Sequence, residues 1–264
     1  MIDVNVTLSH WPFRRLAFDE TPQLVRKLRE NGFARAWAGS FDALLHRDIA
    51  GVNLRLAEDC KRHGQGLLLP VGAINPALPD WQDDLRRCHE EHGMRVIRLH
   101  PDYHGYTLDS DECHAVCESA AERGLIVQLA LRMDDPRISH PLVQVPVTLP
   151  SAFKGRPVEA LLQRHSELRL IVMNNYGSIR HDVAARLAKT GHVYFEISHA
   201  EQVGTLEKLV AEIPLDRILL GSHFPLFNLE AATLKFQESK LTAAQTAAIQ
   251  HGNADALMAY ANRP

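Results

Sequence analysis

The sequence predicts an α/β fold, and within that class a (β/α)8 TIM barrel that occupies residues 1–264 as one domain. Strand-like and helix-like segments alternate along the whole chain, which is typical of βαβ units that build a parallel sheet. Eight strand–helix units are counted, and a length of 264 residues is close to the roughly 250 residues of such barrels. A doubly wound sheet is the alternative arrangement of the same units.

The first half of the chain contains four predicted strands, at residues 2–8, 34–38, 66–74 and 94–99. Apolar residues at helical spacing mark the helices between them. The first helix is expected to begin with Thr21 as its N-cap and Pro22 in its first turn, and to end at Gly32. The helix after the fourth strand is expected to begin at Ser110 and to end at Gly124.

The second half contains four more predicted strands, at residues 125–131, 168–173, 193–197 and 218–220, and an alanine-rich helical stretch at 242–261. The connection from Met133 to Pro157 shows no helix or strand pattern and is rich in proline. It leaves the C-terminal end of the fifth strand, the face on which barrel active sites are built, so we expect it to act as a lid. A solvated surface excursion is the alternative.

Charge and hydropathy exclude several classes of protein. The chain has 29 Lys and Arg against 32 Asp and Glu, a net charge of −3, which argues against nucleic-acid binding or a basic membrane surface. No apolar run reaches the roughly 18 residues of a membrane span, and the N-terminus does not resemble a signal peptide. The four cysteines show no zinc-site spacing, so we expect a reduced cytoplasmic location. The sequence does not indicate the oligomeric state.

The candidate functional residues lie where the strands end. Side chains alternate across a strand, so Asp3, Asn5 and Thr7 are expected to face the barrel interior, opposite the apolar residues of the first strand. By the same reasoning, a further set of residues is expected to point into the barrel or to lie at strand ends: Arg98, His100, Gln128, Ala130, Arg132, Asn174, Asn175, Glu196, His199 and His223. Polar groups from several strand ends are what an active site needs, and an internal hydrogen-bond network is the alternative.

Histidine is abundant, with 15 residues, and it is the side chain that titrates near neutral pH. Most of these histidines fall on predicted helices among charged residues, where we expect them to be solvated. Those that follow strands or lie in the long connection are the candidates for a site: His10, His100, His104, His140, His199 and His223.

Four segments of the chain, residues 3–8, 96–101, 217–225 and 252–254, resemble motifs of the amidohydrolase-related family of metal-dependent hydrolases. Residues 3–8 (DVNVTL) stand where that family has Asp-x-His-x-His on strand one, and residues 96–101 (VIRLHP) resemble its Gly-x-Lys/Arg-Leu-His-Pro. Residues 217–225 (RILLGSHFP) are similar to its Arg-Ile-Leu-Phe-Gly-Ser-Asp-x-Pro, and residues 252–254 (GNA) match its Gly-Asn-Ala. The resemblance implies an amidohydrolase-like barrel related to the decarboxylase, hydratase and sugar-lactonase branch.

The positions of the family's metal ligands differ in this chain. Strand one has Asn5 and Thr7 in place of two histidines, strand five has Ala130, strand six has Asn174 or Asn175, and strand eight has His223 in place of the aspartate. Amide oxygens are weak ligands for zinc, so no metal ligand is assigned and a bound divalent metal is not favoured. A relocated site in which His223 joins His100 or His140 is the alternative.

The sequence thus predicts a hydrolase, lactonase-like, or a lyase that acts on a small anionic substrate. His223 is expected to be the general base, with His100 and His104 as acid or supporting groups. Arg98, Arg132 and Arg14 are expected to bind a carboxylate, and the amides of Asn5, Asn174 and Asn175 to donate to an oxyanion. Trp11 is expected to line the pocket, together with His140, Glu196 and His199. A non-catalytic ligand-binding barrel is the competing hypothesis.

Overall fold

A computed structural model describes residues 1–133, 156–175 and 179–262. Its strands pair in parallel, in the orders β1-β2-β3 and β4-β5-β6-β7-β8-β9. The strands are β1 (Ile2–Leu8), β2 (Arg35–Ser40), β3 (Leu68–Pro70), β4 (Gly72–Ala73), β5 (Val96–Leu99), β6 (Ile126–Ala130), β7 (Arg169–Met173), β8 (His192–Glu196) and β9 (Ile218–Leu219). The third strand expected from the sequence is thus split into β3 and β4, which are separated by Val71.

Hydrogen bonds between the last and first strands close the ring. The backbone N–H of Val4 donates to the carbonyl of Leu220 at 2.9 Å, and that of Thr7 donates to Phe224 at 3.0 Å. The residues that follow β9 therefore lie beside β1. The barrel expected from the sequence is confirmed, and the doubly wound alternative is excluded because an open sheet has no such contact.

The helices are α1 (Thr21–Glu30), α2 (Ile49–His63), α3 (Trp81–Arg86), α4 (Pro101–His104), α5 (Asp111–Glu122), α6 (Arg156–Arg164), α7 (His181–Thr190), α8 (Thr205–Glu212), α9 (Leu229–Gln237), α10 (Ala243–Ala247) and α11 (Asn253–Ala261). Ser110 caps α5 as expected, because its hydroxyl accepts from the N–H of Cys113 at 3.2 Å. Thr21 instead lies within the first turn of α1, whose N-cap is Glu20. Helices α4, α6 and α9 were not predicted. No described helix is long and apolar enough to cross a membrane.

The first strand does not alternate as simply as the sequence predicts. Its register with β2 shifts between Asp3 and Val6. As a result Ile2 and Val4 join an apolar cluster at the N-terminal end of the barrel, which α11 covers, while Val6 packs against the helices. The carboxylate of Asp3 accepts the N–H of Asn5 at 2.9 Å within this irregularity. Asn5 thus reaches its position through a local distortion rather than through regular alternation.

Candidate active site

Five polar residues from different strand ends meet at the C-terminal end of the barrel. The amide of Asn5 donates to Oδ1 of Asn174 at 2.8 Å, and the backbone N–H of Asn174 donates to Glu196 at 2.7 Å. The rings of His199 and His223 lie 6.0 Å apart. These residues, Asn5, Asn174, Glu196, His199 and His223, are called the rim cluster below. The structure therefore brings together candidates that lie up to 218 residues apart in the sequence.

Met133 connects the two halves of the rim cluster. Its sulfur accepts a hydrogen bond from the amide of Asn174 at 3.4 Å, and its carbonyl oxygen lies 3.1 Å from Nε2 of His223. A carbonyl only accepts, so Nε2 carries the proton. In the neutral ring the basic lone pair is then on Nδ1, which is the tautomer that a general base needs. No sequence pattern pointed to Met133, because its contacts are made through a backbone carbonyl and a sulfur atom.

Asp3 and Ser222 support the rim cluster through buried hydrogen bonds. The Asp3 carboxylate accepts the N–H of Asn5 at 2.9 Å, the N–H of Ser222 at 3.1 Å and the Ser222 hydroxyl. Burial raises the pKa of Asp3 to about 6, against the opposing effect of these hydrogen bonds. Asp3 and Ser222 were not assigned a role from the sequence, although each lies within a segment that carries the family resemblance. They position Asn5 and His223.

Glu196 also acts as a positioning group. Its carboxylate accepts the N–H of Asn174 at 2.7 Å, the N–H of Ser198 at 2.7 Å and the Ser198 hydroxyl at 2.8 Å. Gly221, two residues after the end of β9, packs against it so closely that a Cβ atom there would lie 2.2 Å from Oε2. The oxygens of Glu196 thus already accept from three protein donors, and the expected contact of Glu196 with a substrate stays a prediction.

Two residues of the rim cluster have a left-handed backbone conformation. Asn174 has φ of 55° and His223 has φ of 59°. Asparagine adopts this conformation readily, whereas for histidine it costs on the order of 1 kcal/mol. Backbone strain of this kind is concentrated at functional sites, where the surrounding structure maintains it. Its presence at His223 supports a role for this residue in function.

Arg98 is buried in the barrel interior and is fully engaged with protein oxygens. Its guanidinium donates to Gln128 at 2.8 Å, to the hydroxyl of Thr7 at 3.1 Å and to the carbonyl of Val6 at 3.4 Å. Burial lowers its pKa to about 10, and the carboxylates of Glu196 and Asp3 oppose that shift. Arg98 therefore already has three protein oxygens as partners, and its binding of a substrate carboxylate stays a prediction. The inward direction of its side chain, however, is as predicted.

His100 and His104 form a separate pair at the end of β5. Their ring centroids are 5.7 Å apart, and Nε2 of His104 donates to the carbonyl of Ala43 at 2.9 Å. Burial lowers the pKa of His100 well below its ordinary value, and the neighbouring His104 and Arg98 add to that effect. Burial also lowers the pKa of His104. Both shifts favour the neutral rings, so of the two expected roles, acid or supporting group, the supporting one agrees better with this environment.

The remaining candidates are distributed as follows. The amide of Asn175 makes both of its hydrogen bonds to the backbone of Ile179, at 2.7 and 2.8 Å, so its side chain shapes a turn. Arg14 is exposed and donates to the carbonyl of Arg15 at 3.5 Å, and His10 is exposed beside Glu20. The side chain of Arg132 is half-buried at the same edge as the rim cluster. His140, and with it most of the expected lid, lies outside the described residues.

An apolar wall borders the rim cluster. It consists of side chains from the loops that follow several strands, namely Trp11, Leu16, Phe41, Leu44, Ala130, Met133, Leu226 and Phe227. The ring of Trp11 packs edge-on against Phe41 at 5.2 Å, and Phe227 packs edge-on against His199 at 4.9 Å and His223 at 5.1 Å. A cavity of about 830 Å³ opens beside Glu196 and His199 and extends between α7 and α8. Trp11 lies in the apolar wall, and its expected contact with a substrate stays a prediction.

The positions that hold metal in related barrels do not fit a divalent cation here. The hydroxyl of Thr7 accepts from the Arg98 guanidinium, which places a positive charge about 3 Å from that oxygen. The Asn174 amide is engaged on both sides, by Asn5 and by the carbonyl of Arg132. Ala130 has no donor atom. A second cation would be repelled by Arg98 and would find few of the anionic or imidazole ligands that zinc requires.

Comparisons with known proteins identify the family and agree with the fold. A family model described as Amidohydrolase matches residues 8–258. No curated protein matches the chain. Among solved structures, a dihydroxybenzoic acid decarboxylase from Polaromonas, with bound manganese and the inhibitor 2-nitroresorcinol, is similar with a TM-score of 0.75 and 16% identity, over 100% of this chain and 97% of that one.

Two further structures show the same fold. A 2,6-dihydroxybenzoate decarboxylase from Rhizobium has a TM-score of 0.70 and 17% identity, over 97% of this chain and 99% of its own. An uncharacterized TIM-barrel protein from Bordetella bronchiseptica has a TM-score of 0.69 and 14% identity, over 100% of this chain and 99% of its own. At these identities the likeness is one of fold.

Proposed function

Because the chain belongs to the amidohydrolase family, we propose that it is an enzyme that hydrolyses or cleaves a small anionic substrate at the rim cluster without a divalent metal. The observation that carries this proposal is the replacement of the family's ligand set by a hydrogen-bonded arrangement of Asn5, Asn174 and His223. Retention of a strained, buried histidine where the family has its aspartate supports an active enzyme rather than a binding barrel.

We propose lactone or aryl-ester hydrolysis as the leading reaction. Nδ1 of His223 removes a proton from water, the water oxygen attacks the ester carbonyl, and the carbon–oxygen bond to the leaving group breaks as that oxygen takes up the proton. The amides of Asn5 and Asn174 already donate within the protein, so the oxyanion receives little help from them. The substrate should therefore have an acidic leaving group, such as an enol or a phenol, and Arg132 is the proposed partner of its negative charge.

A lyase reaction is the second candidate. The aromatic members of the apolar wall favour a flat ring, and two structures of the same fold are decarboxylases of hydroxylated benzoic acids. In such a reaction the protonated His223 ring would donate a proton to the ring carbon as carbon dioxide leaves. The two candidates differ in their products, an acid with a free hydroxyl group or carbon dioxide.

The test is turnover of a panel of lactones, aryl esters and hydroxylated aromatic acids by the wild-type protein and by His223→Ala. We expect kcat/KM to fall by at least about a hundredfold in the variant, the usual contribution of a general base. His251→Ala, which alters an exposed histidine far along the chain, serves as the matched control and should retain full activity. Equal activity of His223→Ala and the wild type on every substrate would overturn the mechanism, and no turnover by the wild type would overturn the proposed function.

A further inference from the structure

The amide groups of the rim cluster have a defined direction. A backbone carbonyl, that of Arg132, lies 2.5 Å from one terminal atom of Asn174, so that atom is Nδ2. The other terminal atom of Asn174 is then Oδ1, and it lies 2.8 Å from Asn5, which must present its own Nδ2 there. The hydrogen bonds thus run from Asn5 to Asn174 to Arg132. This order is imposed by the carbonyl at its end and does not depend on a choice of amide orientation.

One consequence is that Asn5 presents an acceptor, Oδ1, as its remaining polar atom. Asn5 is completely buried, and Oδ1 has no hydrogen-bond partner among the described residues. A buried acceptor without a donor costs on the order of 1–3 kcal/mol, and folded proteins rarely leave one unsatisfied. A group that is not part of the described chain is therefore needed to satisfy it.

The surroundings of this atom indicate the chemistry of that group. Asn174, which receives the Asn5 amide, also donates to the sulfur of Met133, and Met133 belongs to the apolar wall. Through Asn174 and Met133, Asn5 is thus connected to the apolar wall, whose aromatic members favour a flat ring. A carboxylate or carbonyl oxygen directed at Oδ1 would be repelled, because both atoms are acceptors, whereas a hydroxyl or N–H group would be held.

We propose that the ligand of this barrel is a flat-ring acid that donates a hydroxyl or N–H hydrogen bond to Oδ1 of Asn5. The inference rests on the proposed function for the ligand's ring and negative charge, but the required donor follows from the amide direction alone. Asn5 is thus a specificity-determining residue that selects a donor-bearing ligand at a position where related barrels have a metal ligand.

The test uses direct binding, measured by calorimetry, of the three monohydroxybenzoates, the three aminobenzoates and the methoxybenzoates that correspond to the hydroxy compounds. In the wild type we expect the tightest hydroxy or amino compound to bind at least tenfold more tightly than the methoxybenzoate substituted at the same ring position, since a methoxy group has no hydrogen to donate. In Asn5→Leu this ratio should fall below about twofold. In Asn5→Asp, which retains an acceptor oxygen, a preference for the donor should persist.

A control variant separates loss of a buried amide from loss of this acceptor. Asn53 is also buried, and its amide is engaged with the backbone of Ala73 at 2.8 and 2.9 Å, away from the rim cluster. Asn53→Ala should lower stability and leave the binding preference unchanged. A wild-type ratio within threefold, binding by none of the donor-bearing compounds, or an unchanged ratio in folded Asn5→Leu would each overturn the proposal.

A crystal structure of the wild type with the tightest compound keeps the proposal testable if Asn5→Leu fails to fold. The ligand's donor atom should lie within about 3.2 Å of Oδ1. An ordered water that remains on Oδ1 in the complex would overturn the proposal. Because these readouts do not require turnover, an inactive protein that still prefers the donor-bearing compounds would refute the proposed function and leave this inference intact.

Discussion

The carboxylate of Asp3 accepts both the hydroxyl and the backbone N–H of Ser222, a residue that lies 219 positions later in the sequence. The Ser222 hydroxyl in turn accepts the N–H of Phe224 at 3.1 Å. These bonds join the first strand to the turn that carries His223. Besides the backbone hydrogen bonds that close the ring, a buried acidic side chain therefore couples the first strand to the residues after the last one, and its ionisation should affect the stability of the protein.

We expect Asp3→Asn to change how stability depends on pH. The folded-state pKa of Asp3, about 6, is above its ordinary value of 3.8, so between pH 4 and 6 the folded state retains a proton that the unfolded state releases. The stability contributed by this group is present below pH 4 and is lost as the pH rises through 6. Relative to the wild type, Asp3→Asn should gain up to about 3 kcal/mol between pH 4 and 7.

Urea unfolding at several pH values measures this difference. The variant retains the geometry, because Oδ1 can still accept from both N–H groups while Nδ2 donates to the Ser222 hydroxyl. Asp216→Asn, which alters an exposed carboxylate, is the control and should follow the wild-type pH profile. If the profiles of Asp3→Asn and the wild type are parallel from pH 4 to 7, Asp3 does not carry the proton assigned to it.

The left-handed backbone of His223 predicts an inverted preference between glycine and alanine. In most positions alanine is more stable than glycine, but a Cβ atom is unfavourable at φ of 59°. We expect His223→Gly to be more stable than His223→Ala by about 1 kcal/mol, as measured by thermal unfolding. The matched pair at Lys189 in α7 should show the ordinary order, with alanine more stable by a similar amount. The ordinary order at His223 would mean that its backbone is not strained.

The lack of a side chain at Gly39 leaves space for the Arg98 guanidinium inside the barrel. A Cβ atom on Gly39 would lie 2.7 Å from Nη1 of Arg98 and 2.9 Å from its Cζ. Because Arg98 is buried and held by Thr7 and Gln128, we expect Gly39→Ala to destabilise the protein by roughly 1–3 kcal/mol in urea unfolding. Gly252→Ala, where the nearest atom would lie 3.7 Å away, is the control and should be neutral or slightly stabilising. Equal effects of the two substitutions would contradict the packing described for Arg98.

The pair of His114 and His165 should make the protein sensitive to acid. Nδ1 of His114 lies 3.0 Å from Nε2 of His165, a hydrogen bond that requires at least one unprotonated ring. Burial lowers the pKa of both rings. Stability from this pair is therefore present above pH 6.5 and is lost as the pH falls below it. His165→Gln, which can keep the hydrogen bond without titrating, should lose less stability than the wild type between pH 7 and 5. An equal loss in thermal unfolding would remove the pair as the cause.

Activity should not depend on added metal. Arg98 already places a positive charge beside Thr7, so we expect chelation to leave kcat/KM within about twofold and added zinc or manganese to cause no increase. Elemental analysis of the active protein provides the independent measurement, and metal well below one equivalent is expected. Loss of activity on chelation that is restored by one equivalent of metal would contradict the proposed site.

The barrel and most of its strands could be predicted from local sequence patterns, whereas the inward face of β1 could not. Alternating strand and helix patterns depend on local periodicity, so they predicted the strands, the cap at Ser110 and the inward direction of Arg98 without knowledge of the fold. The family model that matches residues 8–258 confirmed the resemblance of the four segments to the amidohydrolase family. Local patterns also showed that Asn5 and His223 stand where metal ligands were expected.

The hydrogen-bond partners of these residues, in contrast, could not be predicted from the sequence. The bond from Asn5 to Asn174, the three oxygens that surround Arg98 and the carbonyl that orients His223 all join residues from separate strands. Their pairing depends on the register of the closed barrel and on the irregularity in β1, neither of which has a local sequence signal. For this reason Arg98, which was expected at a substrate carboxylate, is found bonded to protein oxygens, and the Asn5 amide, which was expected to donate to an oxyanion, is found donating to Asn174.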